Sequence, residues 1–514
     1  MVLYYEIKKR ANDFAGKLIN RKNSHIFDSA DRVKDFALHR IENGTMGGIM
    51  AEKIGEINSA VNAFVWGRGM LVIFLGVGML FTLRTGFFQF TGWKVWMGET
   101  LGALFRDRRV RSTQDHQSIS QFQSFCTALA ATLGTGNITG VATAIVTGGP
   151  GAVFWMWVSA FLGMMTIYAE NVLGIKYRYK SPKGVWVGGA MVYMERGLGA
   201  KWLAVIFAVF CLCASFGMGN MTQANAIAKG IKATLQIPEQ FTGMVLMALV
   251  AVVILGGVKR VAKVAEKIVP FMAAFYILGG LFVIVIHYEK IPETFLWIFE
   301  EAFGLRAVGG GVAGYGMNMA IKMGISRGVF SNEAGLGSSV MAHAASDVSC
   351  PQIQGMWGMA EVFIDTIVVC TVTALAILTS GVYDPQRCLS NIAGGVENID
   401  GTTLTGNAFA TVFPNGDKFL AISIALFAFA TIIGWAYFGE RTAAYLFGER
   451  AIFPYKMVYI LILLPGAVLT PELVWELSDT FNGLMAIPNL TALMLLHGEV
   501  IHMTREYQWN RKRL

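Results

Sequence analysis

Apolar runs near the length of a bilayer crossing recur along the chain, separated by short polar stretches. About eleven can be drawn, at 63–83, 121–147, 150–176, 202–226, 241–258, 266–287, 312–346, 354–380, 418–438, 456–471 and 474–497, since about 20 apolar residues in a helix cross the hydrocarbon layer. A lone span satisfies its own backbone groups only as a helix, and the alternating ten-residue strands of a membrane barrel are absent. The pattern predicts an all-α polytopic membrane protein. Trp66, Trp202, Trp297 and Trp475 fall near span ends, where an indole favours the membrane interface.

The polar intervals alternate in sign. Cations follow the first run (Arg84, Lys94, Arg106, Arg108, Arg109, Arg111), the third (Arg178, Lys180, Lys183, Arg196, Lys201) and the fifth (Lys259, Arg260, Lys263, Lys267). They follow the ninth (Arg441, Arg450, Lys456) and the last (Arg505, Arg511, Lys512, Arg513). Acids fill two of the alternate loops, with Glu289, Glu293, Glu300 and Glu301 in one and Asp384, Glu397, Asp400 and Asp417 in another. Basic loops stay in the cytoplasm, so the alternation predicts an outside N-terminus and a cytoplasmic C-terminus.

Two features fit poorly. Lys322 and Arg327 fall inside the seventh run, where a cation at mid-membrane costs several kcal/mol. Residues 308–320 are therefore expected as an outer re-entrant or interfacial helix, with the span proper starting near Ile321. Residues 1–60 are polar and mildly basic, with an amphipathic pattern at Val33, Phe36, Ala37 and Ile41 and no apolar core of a signal peptide. Two readings of this arm stay open: a native start at Met46 or Met50, or a real interfacial segment.

Composition agrees with the pattern. Of 514 residues, 54% are hydrophobic and 15% charged, against about 25% charged in soluble domains. A soluble enzyme, a disordered chain and a coiled coil are excluded on this ground. The net charge of +8 belongs to loops between apolar runs, so it speaks for membrane orientation and not for nucleic acid. The 6 Cys form no CxxC and read as ordinary thiols.

The second run reads Leu133-Gly-Thr-Gly-Asn-Ile138, a poor helix centre. Unwound backbone at bilayer depth survives only where it is buried or lines a cavity. It then presents N–H groups to a carboxylate and C=O groups to a cation, which suits an amino acid. The plainer reading is close helix packing by Gly. The seventh run contains a second candidate break, Ser331-Asn-Glu-Ala-Gly-Leu-Gly337. With the first span set aside, five helices follow and then five more, and each set opens on a broken helix. An odd repeat length inverts the second set relative to the first, and paired interrupted spans are the best sequence pointer to a transporter site. The domains expected are a polar arm 1–60, an extra helix and basic cytoplasmic loop 61–115, inverted repeats 116–306 and 307–500, and a basic cytoplasmic tail 501–514.

Other polar residues in spans are secondary. Asn220, Gln223 and Asn225 lie on the fourth, and Thr431 and Trp435 share a face of the ninth. Glu170, Asn171, Glu361 and Asp365 are intramembrane acids and an amide, functional by default or paired with loop cations. Glu333 lies in the second break itself and is the strongest candidate coupling acid. His343 reads as structural. No HExxH or GxSxG occurs, so no enzyme and no resident cofactor is indicated. A channel would want a pore lined by charged or carbonyl rings.

The segments Gly148-Gly-Pro-Gly-Ala-Val-Phe-Trp-Met-Trp-Val-Ser-Ala160, Leu133–Ile138, Arg327-Gly-Val-Phe-Ser-Asn-Glu-Ala-Gly-Leu-Gly337 and Ile433-Gly-Trp-Ala-Tyr-Phe-Gly-Glu-Arg441 resemble those of the alanine/glycine:cation symporters. The resemblance runs from about Val61 to His497. It implies the five-plus-five inverted-repeat fold of the amino acid–polyamine–organocation superfamily. It also implies sodium-coupled uptake of alanine, glycine or D-alanine across a bacterial or archaeal plasma membrane. By that resemblance Thr135 and Gly136, with Asn137, would hold the substrate carboxylate. Phe330, Leu336 and Trp435 would wall the side-chain pocket, with Asn332 and Gln223 nearby. The carbonyls of Ala130 and Leu133 and the Thr431 hydroxyl would bind the co-transported sodium. The partners implied are a small neutral amino acid, sodium and the lipid bilayer. A proton-coupled permease of the same fold is the alternative.

Overall fold

The structure, a computed structural model, describes residues 46–513 apart from 114, 116, 305–309, 395–397, 470 and 471. Residues 1–45 of the polar arm, with Val33, Phe36, Ala37 and Ile41, and the loop acid Glu397 lie outside the described residues. The chain divides into two units, Met1–Val61 and Asn62–Leu514. In the first, the described residues from Met46 onward are helical. Everything below concerns the second.

Its elements are almost all helices. The helix α1 is Arg68–Arg84, α2 Gln121–Thr132, α3 Thr139–Gly148 and α4 Gly151–Tyr177. A two-stranded hairpin follows, β1 Tyr179–Lys180 against β2 Trp186–Val187, antiparallel with Tyr179 opposite Val187. Next come α5 Lys201–Phe216, a π turn Gly217–Met221, α6 Thr222–Leu235, α7 Glu239–Ile254, α8 Gly257–Ile286 and α9 Ile291–Ala302. The second half holds α10 Gly310–Asn332, α11 Val340–Ala344, α12 Pro351–Val362, a π turn Phe363–Cys370 and α13 Thr371–Ser380. It closes with α14 Gly401–Ala410, α15 Gly416–Phe447, α16 Ile452–Leu461, α17 Leu463–Val468 and α18 Glu472–Arg513.

Eight helices among the described residues are long and apolar enough to cross a membrane. Three of the apolar runs read from the sequence are not among them, each for a visible reason. The run at α2 breaks before α3, α7 has 16 residues, and α10, though 23 residues long, is rich in Gly and carries Lys322 and Arg327, so it is less apolar. At 1.5 Å per residue, α7 covers only about 24 Å. Local chemistry sets several ends. Ser120 and Gln123 cap α2 reciprocally, each side chain accepting the other's backbone N–H at 3.1 Å. The Asp400 carboxylate caps α14 through the Thr403 amide at 3.1 Å.

One expectation is corrected. Gly310–Asn332 is one helix, so 310–320 is continuous with the span and no separate interfacial helix precedes Ile321. The basic C-terminal segment is helical, because α18 runs on to Arg513.

The helices sort by burial. Val72, Leu83, Val252, Phe271, Leu278 and Leu495 are exposed, an apolar belt of the kind that only lipid covers at low cost. The interior is polar to an unusual degree. Asn137, Glu170, Asn332, Glu333, Glu361 and Asp365 are all buried. Buried polar groups of this kind need partners, and theirs lie where the two interrupted helices meet. There α4 packs along α10 and α12, and α2 lies against α8 and α15.

Candidate functional site

The first interruption begins one residue after α2. Leu133 has ψ 91 and Gly134 is fully extended, with φ −135 and ψ −156. A single 3-10 turn over Thr135–Asn137 then leads into α3. The Asn137 side chain sets this shape. Its Oδ1 accepts the Gly134 amide at 3.0 Å, and its own amide bonds the Gly134 carbonyl at 3.3 Å. In an uninterrupted helix those two amides would serve the carbonyls of Ala130 and Leu133. Both carbonyls are thereby released from the ladder. That of Leu133 accepts the Thr431 hydroxyl of α15 at 3.3 Å. A Cβ on Gly134 would lie 2.7 Å from the Thr431 Oγ1, so α15 can come this close only over a glycine.

The second interruption follows α10. Glu333 is left-handed at φ 56, and Gly335 and Gly337 follow at φ 95 and φ 76. A left-handed backbone costs a glycine little but costs Glu333 energy that its surroundings must offset. They do so on both sides. The Glu333 carboxylate accepts the Trp435 indole N–H at 3.0 Å and the Ser338 hydroxyl. The Glu170 carboxylate, from α4, accepts the Gly335 amide at 3.0 Å and the Asn489 side-chain amide. Asn489 also donates to the Gly335 carbonyl at 2.9 Å and accepts from the Tyr193 hydroxyl.

A carboxyl from a third helix ties the two interruptions together. Asp365, on the π turn after α12, accepts Asn137 Nδ2 at 2.7 Å on one oxygen. Its other oxygen accepts the hydroxyls of Ser331 at 2.8 Å and Thr366 at 2.7 Å. Asn137 Nδ2 also donates to Ser331 Oγ at 2.9 Å, and Asn332 donates to Thr366 at 3.0 Å. The first interruption and the last turn of α10, still helical at Ser331 and Asn332 just before the second interruption, thus share one polar knot across 194 positions.

Beside the knot lies a cavity of about 500 Å³. Thr135, Gly136 and Phe330 line it, with Thr139, Arg327 and Asp400. Not every residue picked out from the sequence does so. Asn137 and Asn332 shape the interruptions, the latter accepting the Ala334 amide at 3.0 Å. Leu336 and Trp435 are fully buried. The Cβ of Trp435 packs directly against Gly219 of the first π turn. Gln223 donates to the Met218 carbonyl at 3.1 Å, while its buried Oε1 has no hydrogen-bond partner. That oxygen lies 3.8 Å from where a Gly134 Cβ would stand. Ala130 is buried three residues before Leu133, in the turn whose carbonyls are released.

Asn220 and Asn225 bond the carbonyls of Tyr459 at 2.8 Å and Leu469 at 3.0 Å, which ties α6 and its π turn to α16 and α17. His343 pairs with Glu361 at 2.8 Å in full burial and meets Gln354, a structural arrangement. Sequence reasoning gave Asp365 and Glu170 only a secondary place and did not see Asn489. An acid in an apolar run was the available signal, but nothing in the run says which break it serves. Arg327, a misfit in the sequence, is explained by the cavity it lines.

At the ends of α2 and α11 away from the cavity, the chain is closed. The Ile119 amide bonds the Ala345 carbonyl at 3.2 Å, and the Asp347 amide bonds the Ile119 carbonyl at 2.8 Å. Arg178 donates to the carbonyls of Ala344 at 2.8 Å, Ser346 at 2.6 Å and Val348. Burial lowers the Arg178 guanidinium to about 10, with Asp347 opposing, so it stays charged at neutral pH. Lys180 of the hairpin pairs with Asp115 at 2.9 Å. The Gln117 amide, Lys180 and Ser118 hold the Asp115 carboxyl well below the usual carboxylate range.

A nearly all-helical domain with eight helices among the described residues long and apolar enough to span, and two interrupted helices beside one cavity, defines a polytopic transporter. The comparisons narrow the class. The chain belongs to the sodium:alanine symporter family, whose model matches residues 51–514. It is 43% identical over 458 residues to the sodium/alanine symporter AgcS of Methanococcus maripaludis, covering 88% of this chain and 97% of that one. It is 42% identical over 457 residues to an uncharacterized transporter of Haemophilus influenzae, covering 88% and 96%. Among solved structures it resembles MhsT in complex with L-phenylalanine, at TM-score 0.51 and 13% identity over 72% of this chain and 89% of that one. That likeness is one of fold.

Proposed function

We infer that the protein carries a small neutral amino acid, alanine or glycine, into the cell together with sodium by alternating access. The observation that carries the reading is the facing pair of interrupted helices, with the bare backbone of Thr135 and Gly136 on the cavity wall. In this reading the amides of that turn and the Thr135 hydroxyl take the substrate carboxylate. Phe330, Leu336 and Trp435 close around a short side chain, and the Gln223 oxygen faces the ammonium. Sodium sits on the carbonyls of Ala130 and Leu133 and the hydroxyl of Thr431, an all-oxygen set suited to a hard cation. Ion binding orders the released turn and so raises substrate affinity, and the substrate raises sodium affinity by the same factor. The name of the methanococcal relative supports both solutes. The alternation of loop charge supports a plasma membrane orientation with the C-terminus in the cytoplasm, and residues 116–306 and 307–500 as the two repeats.

The test is uptake of labelled alanine and glycine into proteoliposomes with and without an inward sodium gradient. Accumulation that collapses without sodium is expected. Uptake driven equally by a pH gradient alone would favour proton coupling, for which Glu333, bonded to Trp435 and Ser338, is the candidate acid. Glu333→Gln would then abolish the pH dependence.

A further inference from the structure

We propose that the cavity walled by the unwound turn holds a second carboxylate subsite at Arg327, which captures an incoming amino acid before its carboxylate passes to the turn. The inference rests on the transport reading above and adds a second subsite to it.

A guanidinium on a spanning helix costs several kcal/mol unless it faces water or a partner. Arg327 lies nearly two turns before the second interruption, half-buried, and lines the cavity. Its Nε is buried and has no hydrogen-bond partner. The guanidinium carbon stands 5.6 Å from the centre of the Phe330 ring, which supports it from one side. A planar fork that is held by a ring and lacks a partner at Nε is suited to bidentate binding of a carboxylate. Lys229 and Asp400 line the same cavity. Two cations and one carboxylate around one hollow make a dipolar field that favours a zwitterion over a solute of single positive charge. Asp400 is fixed by its role as cap of α14, so it offers a stationary partner for the ammonium. The volume, about 500 Å³, is ample for a small amino acid. None of these three charged residues belongs to the turn that would hold the substrate at the interruptions.

The test uses the full chain in proteoliposomes under a sodium gradient, with labelled alanine as the probe. Arg327→Gln should raise KM about tenfold, the scale of one charge-assisted hydrogen bond, with the maximal rate within about twofold of the parent. Arg327→Lys keeps the charge and loses the fork, so it should raise KM about threefold. It carries the test alone should the glutamine variant fail to reach the membrane. Alaninamide, a cation with no carboxylate, should inhibit Arg327→Gln at least as strongly as the parent, a result that general damage to the site would not give. An unchanged KM, or a lower maximal rate at unchanged KM, overturns the proposal and leaves the transport reading standing. A parent protein that concentrates neither alanine nor glycine takes down both.

Discussion

Gly134 has no side chain, and the ion site proposed above depends on that. The Thr431 hydroxyl reaches the Leu133 carbonyl only because nothing occupies the space over Gly134. Gly134→Ala should force α15 outward and raise the sodium concentration for half-maximal uptake. Thr431→Val keeps the shape and removes one oxygen. It should raise that concentration about tenfold, the cost of one ligand to a charge, while Thr431→Ser stays near the parent. Unaltered sodium dependence in Thr431→Val would remove the residue from the site. At this scale the sequence was informative where the backbone itself does the work: Gly134, Gly136, Gly335 and Gly337 are poor helix formers in otherwise helical runs. It was less so for side chains. Asn137 and Asn332 are polar at the right places but are spent on shaping the turns.

The interrupted helices are held by polar groups from neighbours, and this is where the sequence was least legible. Spacing places Glu361 and Asp365 on one helix face, yet nothing local says that Glu361 meets the nearby His343 while Asp365 meets a residue from a distant span. Asn137 reaches Asp365 across 228 positions, and Asn489 reaches Glu170 across 319. No local pattern encodes such pairs. Asn137→Ala would strip the Asp365 carboxyl of a donor in full burial and free the Gly134 amide together. A loss of about 2 kcal/mol or more is expected, read as a lower unfolding midpoint in detergent, together with loss of uptake. A variant as stable as the parent would show that Ser331 and Thr366 suffice to hold the carboxyl.

For the molecule as a whole, the succession of apolar runs anticipated the order of the helices, eight of the eleven runs matching single helices long enough to cross, because burial in lipid is a property of segments and not of contacts. It misplaced 310–320, where Lys322 and Arg327 made a helix that borders a water-accessible cavity look unfit to cross. Coupling is also a whole-molecule property. Sodium at a hundred times its dissociation constant should stabilise the protein by about 2.7 kcal/mol. Alanine should add to the unfolding midpoint only when sodium is present. An equal shift from alanine in potassium medium would argue against linked binding.

The seam between Ile119 and Ala345–Asp347 has its own bearing on leakage. Two short backbone links and the Arg178 fork stitch one end of the carrier shut while the other end lies open to a hollow. In the alternating-access reading proposed above, those links part when the far side opens, so deuterium should enter the Ile119 and Asp347 amides slowly in sodium and faster in potassium. Arg178→Gln should loosen the stitching and let sodium slip through without cargo, turning a tight two-solute exchange into a dissipative drain on the gradient.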